Sequence, residues 1–256
     1  MHRSIGIRHP RAVSLYTREL LVDGYKKGIV VTEGLIAHGR GEAFDYLLGE
    51  QTTEFAQDAI RTASAALLLA NYPVISVNGN SVALCARQIV ELSKITDAVV
   101  EVNLFHRSKE REIAIEKELR KKGANLVYGV GSAASLTISE LQSDRRRVDP
   151  QGIYKADTVL VPLEDGDRTE ALVKMGKKVI AMDLNPLSRT ASAAQITIVD
   201  NVVRAIPHMI SEAKRLKDTD RGVLSQILQQ FSNQQNLSQS LQIIRGGSNG
   251  RSAEKQ

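Results

Sequence analysis

A mostly parallel α/β sheet with helices on both faces is predicted for residues 72–217 by three observations. Short β-type apolar runs alternate with segments of helical period, the mark of a parallel sheet covered on both sides. Most runs end in turns dense with Asn, Asp, Gly and Arg. Two of these turns, residues 164–168 after the run 159–161 and residues 183–190 after 179–182, fall at the expected carboxyl edge of neighbouring strands, where open sheets bind ligands. Residues 1–71 are predicted to be a helical region packed on this core, and 218–256 a polar extension, a helix followed by a disordered tail.

Residues 11–28 place Val13, Leu20 and Leu21 on one side of a helix that Gly28 would end. Residues 29–35 read as a short buried segment leading into Ala37-His38-Gly39-Arg40-Gly41-Glu42, and a long helix over 52–69 follows. The first strand, 73–77, runs into Asn78-Gly79-Asn80 and a helix to about residue 94. The second, 98–102, ends in Asn103-Leu104-Phe105-His106-Arg107. Ser108 suits the N-cap of the next helix, Glu110 and Glu112 its positive end, Lys121 and Lys122 its negative end, and Gly123 its stop. Further strands are expected at 126–130, 159–161, 179–182 and 196–199. Asp200 or Asn201 would cap the last core helix, which Pro207 must kink or restart. Leu224, Ile227, Leu228 and Phe231 have the spacing of a docked or dimer-packing helix. Residues 132–152 show no regular pattern, and Arg145-Arg146-Arg147 reads as a solvated helix end and loop.

At 256 residues, 42% hydrophobic and 25% charged, the chain is long enough to bury a full core. No run approaches the roughly 20 apolar residues of a membrane span, and Met1-His2-Arg3-Ser4 leads into no signal-type apolar region, so a cytoplasmic protein is expected. The single cysteine, Cys85, excludes an intrachain disulfide and a cysteine metal cluster, and reads as a small buried hydrophobe. His2, His9, His38, His106 and His208 lack metal-ligand spacing. The net charge of +5 is interleaved along helices, and 4% aromatics supply few stacking platforms, which argues against a nucleic-acid reader and for anionic small-molecule ligands.

The turns carry the chemistry, each beside a plainer reading. Asn78-Gly79-Asn80 is a hairpin signature, but the helical period after it favours a strand-to-helix turn, either an anion site or a bare tight turn. Asp167 with Glu170 resembles a capping box; that leaves Glu164 and Asp165 to hold magnesium or to bond ligand hydroxyls. Asp183-Leu184-Asn185-Pro186 is a turn former whose acid also suits a ribose hydroxyl, with Arg189 within reach of a phosphate. His106 and Arg107 either serve a substrate phosphate or solvate a loop. Gly129-Val130-Gly131, with Asp149 beyond, matches a loose dinucleotide fingerprint, although it follows the third expected strand rather than the first. No Walker A sequence and no catalytic Ser or Cys constellation is present.

Five motifs taken together, at residues 38–50, 73–80, 101–107, 160–168 and 183–190, resemble archaeal phosphopantothenate synthetase, the 4-phosphopantoate–β-alanine ligase family. The resemblance spans about residues 9–216 and lapses at 132–147 and in the Gln-rich extension. It implies a Rossmann-like homodimer that uses ATP to join 4-phosphopantoate to β-alanine through an acyl adenylate. Matching positions place the nucleotide at Arg18, Arg40, Asp183, Leu184, Asn185, Arg189, Thr190, Asn201 and Val202. Asn78, Asn80, His106, Arg107 and Arg168 are the expected acid-substrate residues, with Arg40, Arg189, His106 and Arg168 at the reacting centre and Mg2+ at Glu164 and Asp165. Without the resemblance, an NAD-dependent oxidoreductase using the Gly129–Gly131 turn, or a non-enzymatic nucleotide-sensing module, would compete.

Overall fold

The structure, a computed structural model, describes residues 11–163 and 166–246. The expected metal ligands Glu164 and Asp165 and the expected disordered tail from 247 lie outside the described residues. Three helices come first, α1 (Ala12–Lys26), α2 (Thr32–Leu48) and α3 (Glu54–Leu69). Thr53 begins α3 by accepting the N–H of Ala56 at 3.1 Å, and the alanine-rich run that follows is buried almost throughout. The glycine-bracketed Arg40 lies inside α2.

Alternation then sets in with β1 (Pro73–Val77), α4 (Gly79–Thr96), β2 (Val99–Val102) and α5 (Lys109–Lys121). A small antiparallel pair, β3 (Leu136–Thr137) and β4 (Arg147–Val148), precedes β5 (Thr158–Pro162), α6 (Gly166–Lys174), β6 (Lys178–Met182), α7 (Arg189–Ala193), β7 (Ile196–Ile198) and α8 (Val202–Leu216). The chain continues into α9 (Arg221–Gln230) and α10 (Asn233–Gly246). The main sheet is parallel in the order β2-β1-β5-β6-β7. Its order reverses between β1 and β5, which creates a crevice at their carboxyl ends.

Successive side chains of a strand point to opposite faces, and both faces here are apolar. Ile75, Val77, Leu160, Ile180, Met182 and Ile198 pack with residues of α3, α4, α5 and α8. Val74, Val159, Val161, Val179 and Ala181 pack with Leu172 of α6 and with Ile138, Val148 and Ile153. The irregular segment 132–152 therefore contributes to the core: its Ile138, Leu141 and Val148 cover this sheet face beside α6. Cys85 is buried as expected, and burial pushes its thiol up to about 12.

Three further local expectations are corrected. Residues 126–130 add no strand; Tyr128 alone bridges Glu101, and Gly129 at φ +75° turns the chain away where any Cβ would strike the Val102 carbonyl. Asp167 is not a cap but lies in the first turn of α6, paired with Arg189 at 2.8 Å. Helix α8 continues through Pro207, and of the two candidate caps it is Asn201 that accepts the Val203 N–H, at 3.2 Å. Helix α9 docks, as its spacing predicts, with Leu224 and Ile227 against Ala65 and Leu216. At the start of α10, Asn233 accepts the Thr197 N–H at 2.8 Å and Asn236 donates to the Thr197 carbonyl at 2.8 Å. Among the described residues no helix is long and apolar enough to cross a membrane.

Glu101 is fully buried in β2, where it accepts the N–H of Asp149 at 3.1 Å and that of Ile153. Burial raises its carboxyl to about 7, with Asp149 adding to the rise and the two backbone bonds and Arg168 opposing it. A folded-state pKa above the unfolded one favours the protonated native form. The stability this contributes is complete below the ordinary value of 4.5 and is lost as pH rises towards 7. Unfolding free energies from urea titrations should fall across that window, by an amount on the order of 3 kcal/mol, and Glu101→Gln should flatten the fall. An equally steep fall in the variant would assign it to other groups.

Candidate active site

All five parallel strands deliver a loop to one cleft of about 400 Å3 at their carboxyl edge. Asn78–Asn80 enter it after β1, Leu104–His106 after β2, Leu163 after β5, Asp183–Asn185 after β6 and Asp200–Val202 after β7, while α2 forms the facing wall.

The β1 turn opens a helix, not a hairpin. The Asn78 side chain accepts the Ser81 N–H at 2.9 Å, and Ser81 Oγ accepts the Asn78 N–H at 3.0 Å. Asn80 Nδ2 donates to the Gly34 carbonyl at 2.7 Å and so ties α4 to α2.

The β6 loop holds itself in shape: Asp183 accepts the Asn185 N–H at 2.9 Å and the Ser188 hydroxyl, and Asn185 Oδ1 accepts the Leu187 N–H at 3.0 Å. After β7, Asn201 donates to Asp45 at 2.7 Å, and Arg204 binds both Asp45 at 2.5 Å and Asp200 at 2.7 Å. These bonds fix α2 to the sheet.

On α2 itself, Glu42 accepts Arg18 of α1 at 2.6 Å and Ser14 at 2.5 Å. Burial alone would raise this carboxyl, but those two partners hold it below its ordinary range. One turn earlier His38 faces the same wall, its imidazole lowered by burial and therefore neutral at pH 7 despite Glu42 and Asp45 nearby.

At the β2 end His106 stands edge-on to Phe105, with ring centres 5.0 Å apart. Arg111 of α5 reaches across, donating through Nε to the Ile29 carbonyl at 2.9 Å and through Nη1 to the His106 carbonyl at 2.7 Å. Burial, then repulsion from Arg145, brings this guanidinium down to about 10. Arg145 lies 6.0 Å above the Phe105 ring.

Of the residues expected from sequence, Arg40, Asn78, Asn80, His106, Asp183, Leu184, Asn185, Asn201 and Val202 line the cleft together. Arg18 lies behind its wall on Glu42, Thr190 is buried in α7, and Arg189 stands on the exterior with Asp167 and Glu170. Arg107 is spent on a buried pair with Glu112 and on the carbonyls of Gly129 and Arg147. Arg168 is fully buried and donates to Ser76 at 2.6 Å and Asn103 at 3.0 Å. His38, Glu42, Arg111 and Arg145 line the cleft without having been singled out. His38 and Glu42 were legible as neighbours of Arg40 on one helical turn, whereas Arg111 sits in a charged run that reads as a solvated face.

The glycine turn at 129–131 is closed to a dinucleotide. Its N–H groups are taken by Asp149 at 3.2 Å and Glu112 at 2.7 Å, and a short 3-10 turn followed by β3 stands where a phosphate-binding helix is needed. Among the described residues no group of three or more His, Cys, Asp or Glu side chains is placed to hold a metal.

Residues 55–247 match the family model described as phosphopantothenate/pantothenate synthetase. The chain belongs to that family. The match takes in every strand of the sheet, while Arg18 and Arg40 precede it. Proteins named 4-phosphopantoate–β-alanine ligase from Thermococcus onnurineus and Thermococcus kodakarensis are 52% and 53% identical over 237 residues, covering 93% of this chain and 90% of each relative. A third of that name, from Methanosarcina mazei, is 52% identical over 92% of both chains. The matched span includes the strand ends whose loops line the cleft.

Proposed function

We propose that the protein is an ATP-dependent ligase that condenses 4-phosphopantoate with β-alanine to 4-phosphopantothenate in coenzyme A biosynthesis, releasing AMP and diphosphate through a 4-phosphopantoyl adenylate. The observation that carries this reading is identity above 50% to ligases of that name along nearly the whole chain. A carboxylate is a poor acyl donor at neutral pH. Its attack on the α-phosphate forms a mixed anhydride as the bond to diphosphate breaks; the amine of β-alanine then displaces AMP and loses a proton.

Asp183, Leu184, Asn185, Asn201 and Val202 form the nucleoside end, where the bonded loops present rigid amides and carbonyls. Arg40 faces the triphosphate from α2. Arg189 is 65% exposed, and solvent screens its pairs with Asp167 and Glu170, so exchanging them for a phosphate costs little. Arg18 acts through Glu42 and the set of α2. Magnesium enters with the triphosphate, its protein ligands being sought at Glu164 and Asp165.

Purified protein given ATP, magnesium, 4-phosphopantoate and β-alanine should release AMP and diphosphate only with the phosphorylated acid present, and 4-phosphopantothenate only when β-alanine is added. ADP and phosphate as products would discard the adenylate; binding of ATP without turnover would discard the ligase.

The protein works as a homodimer in this reading. Val13, Tyr16, Ile36 and Leu47 expose large apolar side chains on α1 and α2, a surface suited to a second copy. Light scattering should give twice the 28.0 kDa chain mass, and Ile36→Lys with Tyr16→Lys should halve it. An unchanged mass in that variant would move the interface elsewhere.

A further inference from the structure

Helix α2 presents one face along the length of the cleft. Gly34, His38 and Gly41 fall at the i, i+4 and i+7 positions of that face, and all three line the cleft. A Cβ on Gly34 would strike the side-chain oxygen of Asn80 in the β1 turn, and one on Gly41 would come within 3.5 Å of Leu184 in the β6 loop. The face therefore runs from the strand end expected to hold the acid to the loop at the nucleoside end. His38 stands between the two glycines, by helical rise about 6 Å from Gly34 and about 4.5 Å from Gly41 along the axis. The bond between acyl group and phosphate has to form between those same two ends.

The other proton acceptors of the cleft are engaged or lie off this joint. Glu42 is taken by Arg18 and Ser14, Asp183 by the Asn185 N–H and the Ser188 hydroxyl, and Asp200 by Arg204 and the Thr52 hydroxyl. Glu33 is exposed at the start of α2, and His106 belongs to β2, the edge of the sheet farthest from the nucleoside end. His38 Nε2, by contrast, is buried with no hydrogen-bond partner among the described residues. Burial lowers this imidazole; Glu42 and Asp45 of its own helix favour its proton, and Arg18 of α1 opposes it. A charged ring must carry a proton on Nε2, where no acceptor meets it. The resting ring is therefore neutral, and a proton it takes is readily passed on.

We infer that His38 is the general base of amide formation, accepting the proton of the β-alanine nitrogen once that nitrogen has bonded to the acyl carbon of the adenylate. This rests on the ligase reading and deepens it. The C–N bond forms as the acyl carbon becomes tetrahedral, and the C–O bond to AMP breaks as the carbonyl is rebuilt. The proton passes from nitrogen to the imidazole and from there to solvent. The N–H of the tetrahedral adduct is far more acidic than that of free β-alanine, which suits an imidazole of lowered basicity. Adenylation moves no proton, since a carboxylate attacks and diphosphate leaves, and so it makes no call on His38.

The test separates the two steps in His38→Gln and in the unaltered protein. Exchange of labelled diphosphate into ATP, driven by 4-phosphopantoate without β-alanine, reports adenylation, and 4-phosphopantothenate formed in a single turnover reports the amide step. The variant should slow amide formation about 100-fold, with exchange changed by a few-fold at most. In the unaltered protein kcat/KM for β-alanine should fall more steeply with acidity below the ordinary imidazole value of 6.5, whereas the variant should keep one slope. Equal losses in both assays, or an unaltered amide rate, overturn the assignment. If the variant fails to fold, the pH profile of the unaltered protein decides: a steepening supports the base and a single slope refutes it. Exchange absent from the unaltered protein discards the ligase reading, and the base with it.

Discussion

Arg40→Ala should lower kcat by about 100-fold to 1,000-fold while leaving the fold intact, because its effect falls on charge that develops only during adenylation. The residue sits inside α2, on the wall opposite the β6 loop; Leu184 lies 3.5 Å from where a Cβ on the next residue, Gly41, would stand. That wall is immobilised by Asp45, which Arg204 and Asn201 hold against the sheet. A charge so placed does not have to reorganise as diphosphate departs, and it gains strength once ATP displaces water from the cleft. Steady-state kinetics at saturating ATP decide the matter. If kcat holds and only the KM for ATP rises, Arg40 is a ground-state anchor and the departing charge is met elsewhere.

Gly79→Ala should abolish productive binding of the acid and destabilise the fold by about 1–3 kcal/mol. The added methyl would meet the carbonyl of Ile29 and Arg111 Nη2 together, and that carbonyl is also the acceptor for Arg111 Nε. One carbon thus strikes both the guanidinium and the Ile29 carbonyl that it bonds. Backbone oxygen yields far less readily than a side-chain tip, so the strain cannot be relieved by a rotamer change. Urea denaturation and kcat/KM for the acid measure the two consequences separately. A variant with unaltered kinetics and midpoint would mean that the α1–α2 connection shifts freely, and the tight approach of Ile29 to α4 would lose its significance.

The sheet was legible because its signals are local. Runs such as Val74-Ile75-Ser76-Val77 and Val179-Ile180-Ala181-Met182 are buried on both faces, and Ser108 and Asn201 fill cap positions whose chemistry depends only on the next three residues. Residues 126–130 have the composition of a strand, but strand formation needs a partner in register, and Gly129 bends the segment off the β2 edge after one bridge. The cleft was legible as far as its loops are contiguous with strand ends. Which arginine faces it was not: Arg107 and Arg168 occupy turns as favourable as any, yet both are consumed by internal partners, whereas Arg111 arrives from the charged face of a helix. Charge at a position says nothing of whether a distant carbonyl or carboxylate has claimed it.

Thr197, in the middle of the outermost strand, has both of its main-chain groups engaged by the side-chain amides of Asn233 and Asn236. Those amides imitate a neighbouring strand without supplying one that a further strand can follow, so the sheet ends at β7. No second molecule can extend it from that side into a ribbon running across subunits. The polar C-terminal segment thereby guards the solubility of the folded protein at high concentration, and its loss would be felt first as self-association.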